Sequence, residues 1–171
     1  SLFSKEKGDL FFDPKAPMEL SVMCEKWITG VLSHARELSL LTNPIVNSYK
    51  RLVSGYEAPI YACWSDANRS SLVRIPAARG LATRTEFRNV DPCANPYLAL
   101  AGILACGLEG IKNTNEKDII PPVKDNLFDL TDDEIKARKI TCLPETLHAA
   151  IEDFKNSSIL KEVLGTHLFP K

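Results

Sequence analysis

No stretch of the sequence is long and apolar enough to span a bilayer. The longest apolar run, Tyr97–Leu108, is 12 residues and includes two glycines, against the ~20 that a crossing needs. The first residues, Ser1-Leu2-Phe3-Ser4-Lys5-Glu6-Lys7, carry no secretory apolar core. A C-x-x-C pair is also missing. The five cysteines, Cys24, Cys63, Cys93, Cys106 and Cys142, are odd in number and scattered, so neither a zinc site nor a disulfide framework is expected. Free thiols fit a reducing compartment, and the expectation is a cytoplasmic protein. An excess of charge of one sign is lacking too. The net charge is −1, which argues against a nucleic-acid binder or a membrane-surface protein. What remains is 171 residues, 44% apolar and 25% charged. That is one domain of ordinary size with enough chain for a core, and neither disordered nor collagenous.

The opening is polar and turn-rich, punctuated by Gly8-Asp9 and Asp13-Pro14. From Met18 to Leu41, Leu20, Cys24, Trp27, Ile28, Val31, Leu32, Ala35 and Leu38 recur at helical spacing, predicting one long amphipathic helix. Thr42-Asn43-Pro44 ends it, because proline pushes its predecessor out of the α region. Between Asn43 and Pro92, Pro59–Trp64, Ser71–Pro76 and Thr83–Asn89 read as three short strands of an antiparallel sheet. Asn95-Pro96 is a helix start. The run after it, Tyr97–Leu108, is apolar on all sides, predicting a helix buried all round and packed closely through Gly102 and Gly107. Thr131-Asp132-Asp133-Glu134 reads as a capping box. Helices are also expected from Pro144 to Lys155 and from Ser158 to Leu164. The fold class is therefore α+β, short antiparallel strands packed with helices.

Arginine is unevenly spread. Six of the eight arginines lie in the 38 residues from Arg51 to Arg88, a window without lysine and with three acids, Glu57, Asp66 and Glu86. The window carries +3 and the rest of the chain −4. Arginine offers a planar fork that binds carboxylate or phosphate bidentately, so such a cluster suggests an anionic ligand; solvated strand ends with structural ion pairs are the alternative. In Arg84-Thr85-Glu86-Phe87-Arg88, strand alternation puts Arg84, Glu86 and Arg88 on one face and Thr85 and Phe87 on the other. A carboxylate between cations stays ionised, as a hard cation such as Mg²⁺ or Mn²⁺ requires. Arg69 and Arg74 bracket the preceding strand, and Glu57 sits in a Gly55-Tyr56-Glu57-Ala58-Pro59 loop able to cover a site. His34, His148 and His167 read as structural or surface residues.

The ordered motifs Asn43-Pro44-Ile45-Val46-Asn47-Ser48-Tyr49-Lys50-Arg51-Leu52, Gly55-Tyr56-Glu57-Ala58-Pro59, Asn68-Arg69-Ser70, Arg74-Ile75-Pro76, Arg84-Thr85-Glu86-Phe87-Arg88 and Asp91-Pro92…Asn95-Pro96-Tyr97-Leu98 resemble type I glutamine synthetase, collinearly and over nearly the whole chain. The resemblance implies ATP-dependent joining of ammonia to the γ-carboxylate of glutamate through a γ-glutamyl phosphate. It implies that Arg51 holds glutamate, that Arg88 contacts the γ-carboxylate or the transferred phosphoryl, and that Glu57 is the flap acid that helps deprotonate ammonium. Arg69, Arg74, Arg84 and Ser1 would contact ATP, with Arg74 also among the catalytic groups, and Glu86 would ligate Mg²⁺ or Mn²⁺.

The same resemblance implies a C-terminal part of the catalytic domain. The N-terminal β-grasp domain and the upstream metal-binding residues of the family are not in this sequence, and turnover by the isolated chain is not expected. It implies glutamate and ammonium as substrates and a double-ring dodecamer for the parent protein, with no nucleic acid or membrane partner. Some members are regulated on a tyrosine in an Asn-Leu-Tyr-Asp-Leu segment. Here Phe128 replaces it, so that regulation is not expected. Two alternatives remain from the sequence: a γ-glutamyl ligase using another amine, such as a polyamine, and a non-catalytic anion- or nucleotide-binding module.

Overall fold

A computed structural model of the chain describes all residues except 54–57, 68–69, 126, 128–129, 139 and 170–171, and the side chain of Asp132. Two short strands, β1 (Phe3–Ser4) and β2 (Gly8–Asp9), form an antiparallel hairpin that the polar opening did not announce. Helix α1 (Val22–Ser33) follows, capped by Ser21, whose Oγ accepts from Cys24 N–H. The long helix expected from Met18 begins later and is broken. Met18 and Glu19 adopt positive φ, 58° and 55°. At His34 (φ −106°, ψ 14°) the chain turns before α2 (Ala35–Thr42) starts. The apolar periodicity runs through this break, because both halves bury the same stripe, and periodicity alone does not register it.

A six-residue helix, α3 (Val46–Arg51), lies ahead of the first expected strand, where no element was expected. Strand β3 (Tyr61–Ser65) pairs with β4 (Ser71–Arg74), and β4 pairs with β5 (Glu86–Phe87). The β4–β5 pairing is antiparallel, as expected. The β3–β4 pairing is parallel, with Tyr61 opposite Ser71 and Ser65 opposite Arg74 and an irregularity between them. Parallel neighbours usually need a crossover of about a dozen residues, so a short connection reads as a hairpin; here only five residues of sequence separate β3 from β4.

The remaining helices are α4 (Pro96–Asn113), α5 (Asp132–Ala137), α6 (Leu147–Lys155) and α7 (Ser158–Leu168). Asn95 caps α4 by accepting from Tyr97 and Leu98 N–H, with Pro96 at its first position. Thr131 and Glu134 form the expected box on α5. Thr146 caps α6, and α7 is kinked at Gly165, φ 65°.

Helices α1 and α4 cross at Gly30 and Gly110. A Cβ on Gly30 would stand 2.6 Å from Gly110 Cα, and one on Gly107 would overlap the Trp27 indole. Trp64 is fully buried behind this pair, its Nε1 donating to Ile120 O at 2.7 Å. Leu38, Leu72, Ile75, Cys106 and Leu160 join the same core. Cys24, Cys63 and Cys106 are buried free thiols, and burial raises each to about 12. Helix α4 is not buried all round. Tyr97, Leu100, Leu104 and Leu108 form an exposed stripe on it, opposite the glycine face. Among the described residues no helix is long and apolar enough to cross a membrane.

Candidate active site

The register of β4 and β5 sets Arg74 directly opposite Glu86. Alternation sets Arg84 on the same face, two residues before Glu86. The three side chains close into one ion-pair cluster. Arg74 donates from Nε and Nη2 to Glu86 Oε2 at 3.0 and 2.5 Å. Arg84 donates from Nε and Nη2 to Oε1 at 3.2 and 3.0 Å. Each guanidinium fork thus claims one oxygen of a single carboxylate, and the cluster carries a net +1. Partial burial pushes the Glu86 carboxyl upward, but Arg74 and Arg84 outweigh it and hold it below its ordinary value. The cations on Glu86 are therefore Arg84 and the cross-strand Arg74, where alternation along one strand had paired it with Arg84 and Arg88. The cross-strand partner follows from register, which the sequence did not disclose. Arg88 donates Nη1 to Ser71 O at 3.4 Å.

A second centre lies where β5 leaves the sheet. Arg51, in the last turn of α3, donates Nη2 to the carbonyl of Asn89 at 2.7 Å and to Asn43 Oδ1 at 3.2 Å. Asp91 Oδ2 stands 4.0 Å from its Nε. Asp91 is itself held below its ordinary carboxylate range, chiefly by the Cys93 backbone N–H, then by Ser48 and the Arg51 charge, against some burial. Asn89 follows Glu86 by three residues, on the order of 10 Å along a strand, so both cationic centres lie along one segment. The sequence marks Asn43 as a helix end and the first residue of a family motif and Asn89 as the end of a strand, but neither as a partner of Arg51. The burial of Asn43 beside Arg51 is a tertiary fact.

Arg79 departs from the cluster. It folds back to donate to Met18 O at 2.8 Å, to Pro76 O and to Ala78 O, pinning the loop that follows β4 against the positive-φ turn at Met18. Ser1 lies on the other side of β5, lining a cleft of about 310 Å³ with Trp27, Thr85, Phe87, Leu100 and Ile103. Glu57, Arg69 and Phe128 lie outside the described residues. His34 serves structure. Its Nδ1 meets Glu37 Oε2 at 3.1 Å and its Nε2 lies 3.7 Å from Glu109.

Among the described residues, no three His, Cys, Asp or Glu side chains gather as a metal centre. Mg²⁺, however, is commonly held by one or two carboxylates together with substrate phosphates and water. Glu86, kept ionised, fits the part of one such ligand, and Arg74 and Arg84 fit the phosphates that would complete the shell.

The family model for the glutamine synthetase catalytic domain matches residues 1–171. A glutamine synthetase of Methanosarcina mazei is 52% identical over 169 residues, 99% of this chain and 37% of that protein. One of Staphylococcus aureus is 47% identical over the same share of each. A solved structure described as "GmaS/ADP complex-Conformation 1" superposes with a TM-score of 0.76 at 32% identity, covering 93% of this chain and 36% of that one. A small sheet with an arginine-clamped carboxylate at its edge, packed on helices, thus sits in a chain that resembles ligases of one family along its whole length. The chain belongs to the glutamine synthetase catalytic-domain family. It spans 37% of the length of the curated relatives it matches.

Proposed function

We propose that the chain supplies the arginine-bearing part of a glutamine synthetase active site, in a cytoplasmic enzyme that joins ammonia to glutamate with ATP as phosphoryl donor. The observation that carries this is the Arg74–Glu86–Arg84 cluster in a chain 52% identical to a glutamine synthetase. The ADP of the structural neighbour is consistent with a nucleotide site, and five free thiols are consistent with the cytoplasm.

In the reaction, a γ-carboxylate oxygen of glutamate attacks the γ-phosphorus of ATP and ADP leaves. Ammonia nitrogen then attacks the acyl carbon and phosphate leaves. Phosphoryl transfer of this kind depends mainly on positioning and charge neutralisation. Arg51 orients glutamate by its carboxylate. Arg88 faces the γ-carboxylate and then the transferred phosphoryl. Arg69, Arg74 and Arg84 receive the phosphates, and Glu86 would ligate Mg²⁺ or Mn²⁺. When bound, the metal neutralises charge between the phosphates. Glu57 covers the acyl phosphate, which water would otherwise hydrolyse, and takes a proton from ammonium. The resemblance further proposes a dodecameric parent enzyme with glutamate and ammonium as substrates.

The test is a chimera in which this chain replaces the corresponding 169 residues of the Methanosarcina mazei enzyme. Glutamine and phosphate are expected in equal amounts from glutamate, ATP and ammonium, with roughly a thousandfold loss on Arg88→Ala, as for the loss of a key charge-stabilising group. A folded chimera that is silent with ammonium but active with a larger amine would replace this reading with the polyamine-type ligase.

A further inference from the structure

The two cationic centres are held in different ways. Arg74 and Arg84 each close on a carboxylate oxygen, so much of their charge is already spent on Glu86. Arg51 is held by neutral acceptors. Its Nη2 donates to the Asn89 carbonyl and to the Asn43 carboxamide. The nearest carboxylate, Asp91, stands 4.0 Å from Nε, too far for a hydrogen bond. Nε is itself buried and has no hydrogen-bond partner among the described residues. The Arg51 side chain remains 36% exposed. It is anchored from within and still reachable from outside.

The anchor is itself fixed. Asn43 is fully buried, and its backbone N–H donates to Ser39 O at 2.7 Å. Its Nδ2 donates to Thr42 Oγ1 at 3.0 Å, and that hydroxyl donates to Leu38 O at 3.1 Å. An unbroken chain of donors thus runs from the Arg51 guanidinium to the carbonyls at the end of α2. The direction is consistent throughout: with Nδ2 turned to Thr42, Oδ1 must face Arg51.

We propose that Asn43 is a positioning residue for Arg51: its carboxamide orients the guanidinium without neutralising it. With Asp91 at 4.0 Å from Nε and no carboxylate hydrogen-bonded to it among the described residues, the cation stays open to a carboxylate arriving from solvent. This rests on the reading of Arg51 as the glutamate-holding residue. A free arginine side chain would lose considerable rotamer entropy on binding, and prior fixation removes that cost from the ligand's affinity. A carboxylate in the place of Asn43 would fix the arginine equally well and compete with the ligand.

The test compares guanidinium nitrogen spectra and L-glutamate titrations of the chain carrying Asn43→Leu, Asn43→Asp and Thr42→Val. In the unaltered chain, distinct and slowly exchanging Arg51 Nη signals are expected, and L-glutamate shifts them. Asn43→Leu should average the signals and weaken L-glutamate roughly tenfold, as expected for one lost hydrogen bond to a charged group. Asn43→Asp should keep the signals distinct and yet weaken L-glutamate. If Asn43→Leu does not fold, Thr42→Val, which removes the hydroxyl that accepts from Asn43 and donates to Leu38 O, should show the same averaging in lesser degree. Arg84 signals should not change in any variant. Unchanged Arg51 signals in Asn43→Leu, or in Thr42→Val if the former is unfolded, would overturn the proposal, as would Asn43→Asp binding L-glutamate as well as the unaltered chain. Failure of L-glutamate to shift the Arg51 signals of the unaltered chain would instead defeat the glutamate reading, leaving the spectral comparison to decide whether Asn43 positions Arg51.

Discussion

Glu86 is the residue on which the candidate site turns. It accepts four hydrogen bonds from two arginines, yet its side chain is 29% exposed and theirs are near half, so the pairs add little to stability. Their consequence is electrostatic. Glu86→Gln leaves two cations without their shared anion, so ATP binding in the absence of metal should tighten. Nucleotide-dependent Mn²⁺ binding, read by electron paramagnetic resonance, should disappear in the same variant. His34 makes a prediction of the opposite kind. Hydrogen bonding to Glu37 raises its pKa, burial opposes this, and the charges of Glu37 and Glu109 add to the rise. Its contribution to stability is complete below the unfolded value of ~6.5 and is lost as pH rises through the higher folded value. The melting midpoint should therefore fall by a few degrees from mildly acidic to mildly alkaline pH. In His34→Gln, which does not titrate, that part of the fall should vanish.

Helix α4 shows why some elements were legible in the sequence and others were not. Its start was written in Asn95-Pro96, because capping is local chemistry. Its glycine contacts were legible at Gly102 and Gly107, since small residues in an apolar run signal close approach. Gly30 and Gly110 make the closest crossing and went unmarked, because neither lies in the apolar run and their meeting depends on how α1 crosses α4. The two classes of glycine differ in what an added methyl meets. At Gly30 it meets Gly110 backbone; at Gly102 it meets the ends of Leu38 and Leu41, at 2.9 Å. Gly30→Ala should destabilise by about 3 kcal/mol or prevent folding. Gly102→Ala should be near neutral, side-chain adjustment being offset by better helix propensity. Thermal unfolding followed by circular dichroism separates them. The parallel β3–β4 pairing and the break at His34 were illegible for a related reason. Strand direction and the continuity of a buried stripe are set by the rest of the molecule, not by local propensity.

At the scale of the whole molecule, charge and apolar surface are sorted to different sides of β5. Arg74, Glu86 and Arg84 cluster on one side of the strand. Phe87, Thr85, Leu100 and Ile103 line a cleft on the other, adjoining the exposed stripe of α4. The arginine window is visible as a simple count along the chain, because clustering of one residue type requires no knowledge of register. Which arginine meets which carboxylate is not, and Arg79, counted with the others, turns out to hold a loop. The central claim is that the Arg74–Glu86–Arg84 face is where ATP and its metal bind. The most direct test is calorimetric titration of ATP into the chain with and without Mg²⁺, repeated on Arg74→Ala. Binding that Mg²⁺ strengthens and that Arg74→Ala weakens roughly tenfold, the loss of a bidentate charge-assisted contact, is the expected result. Binding indifferent to both Mg²⁺ and Arg74, or no binding by a chain shown to be folded, would contradict it.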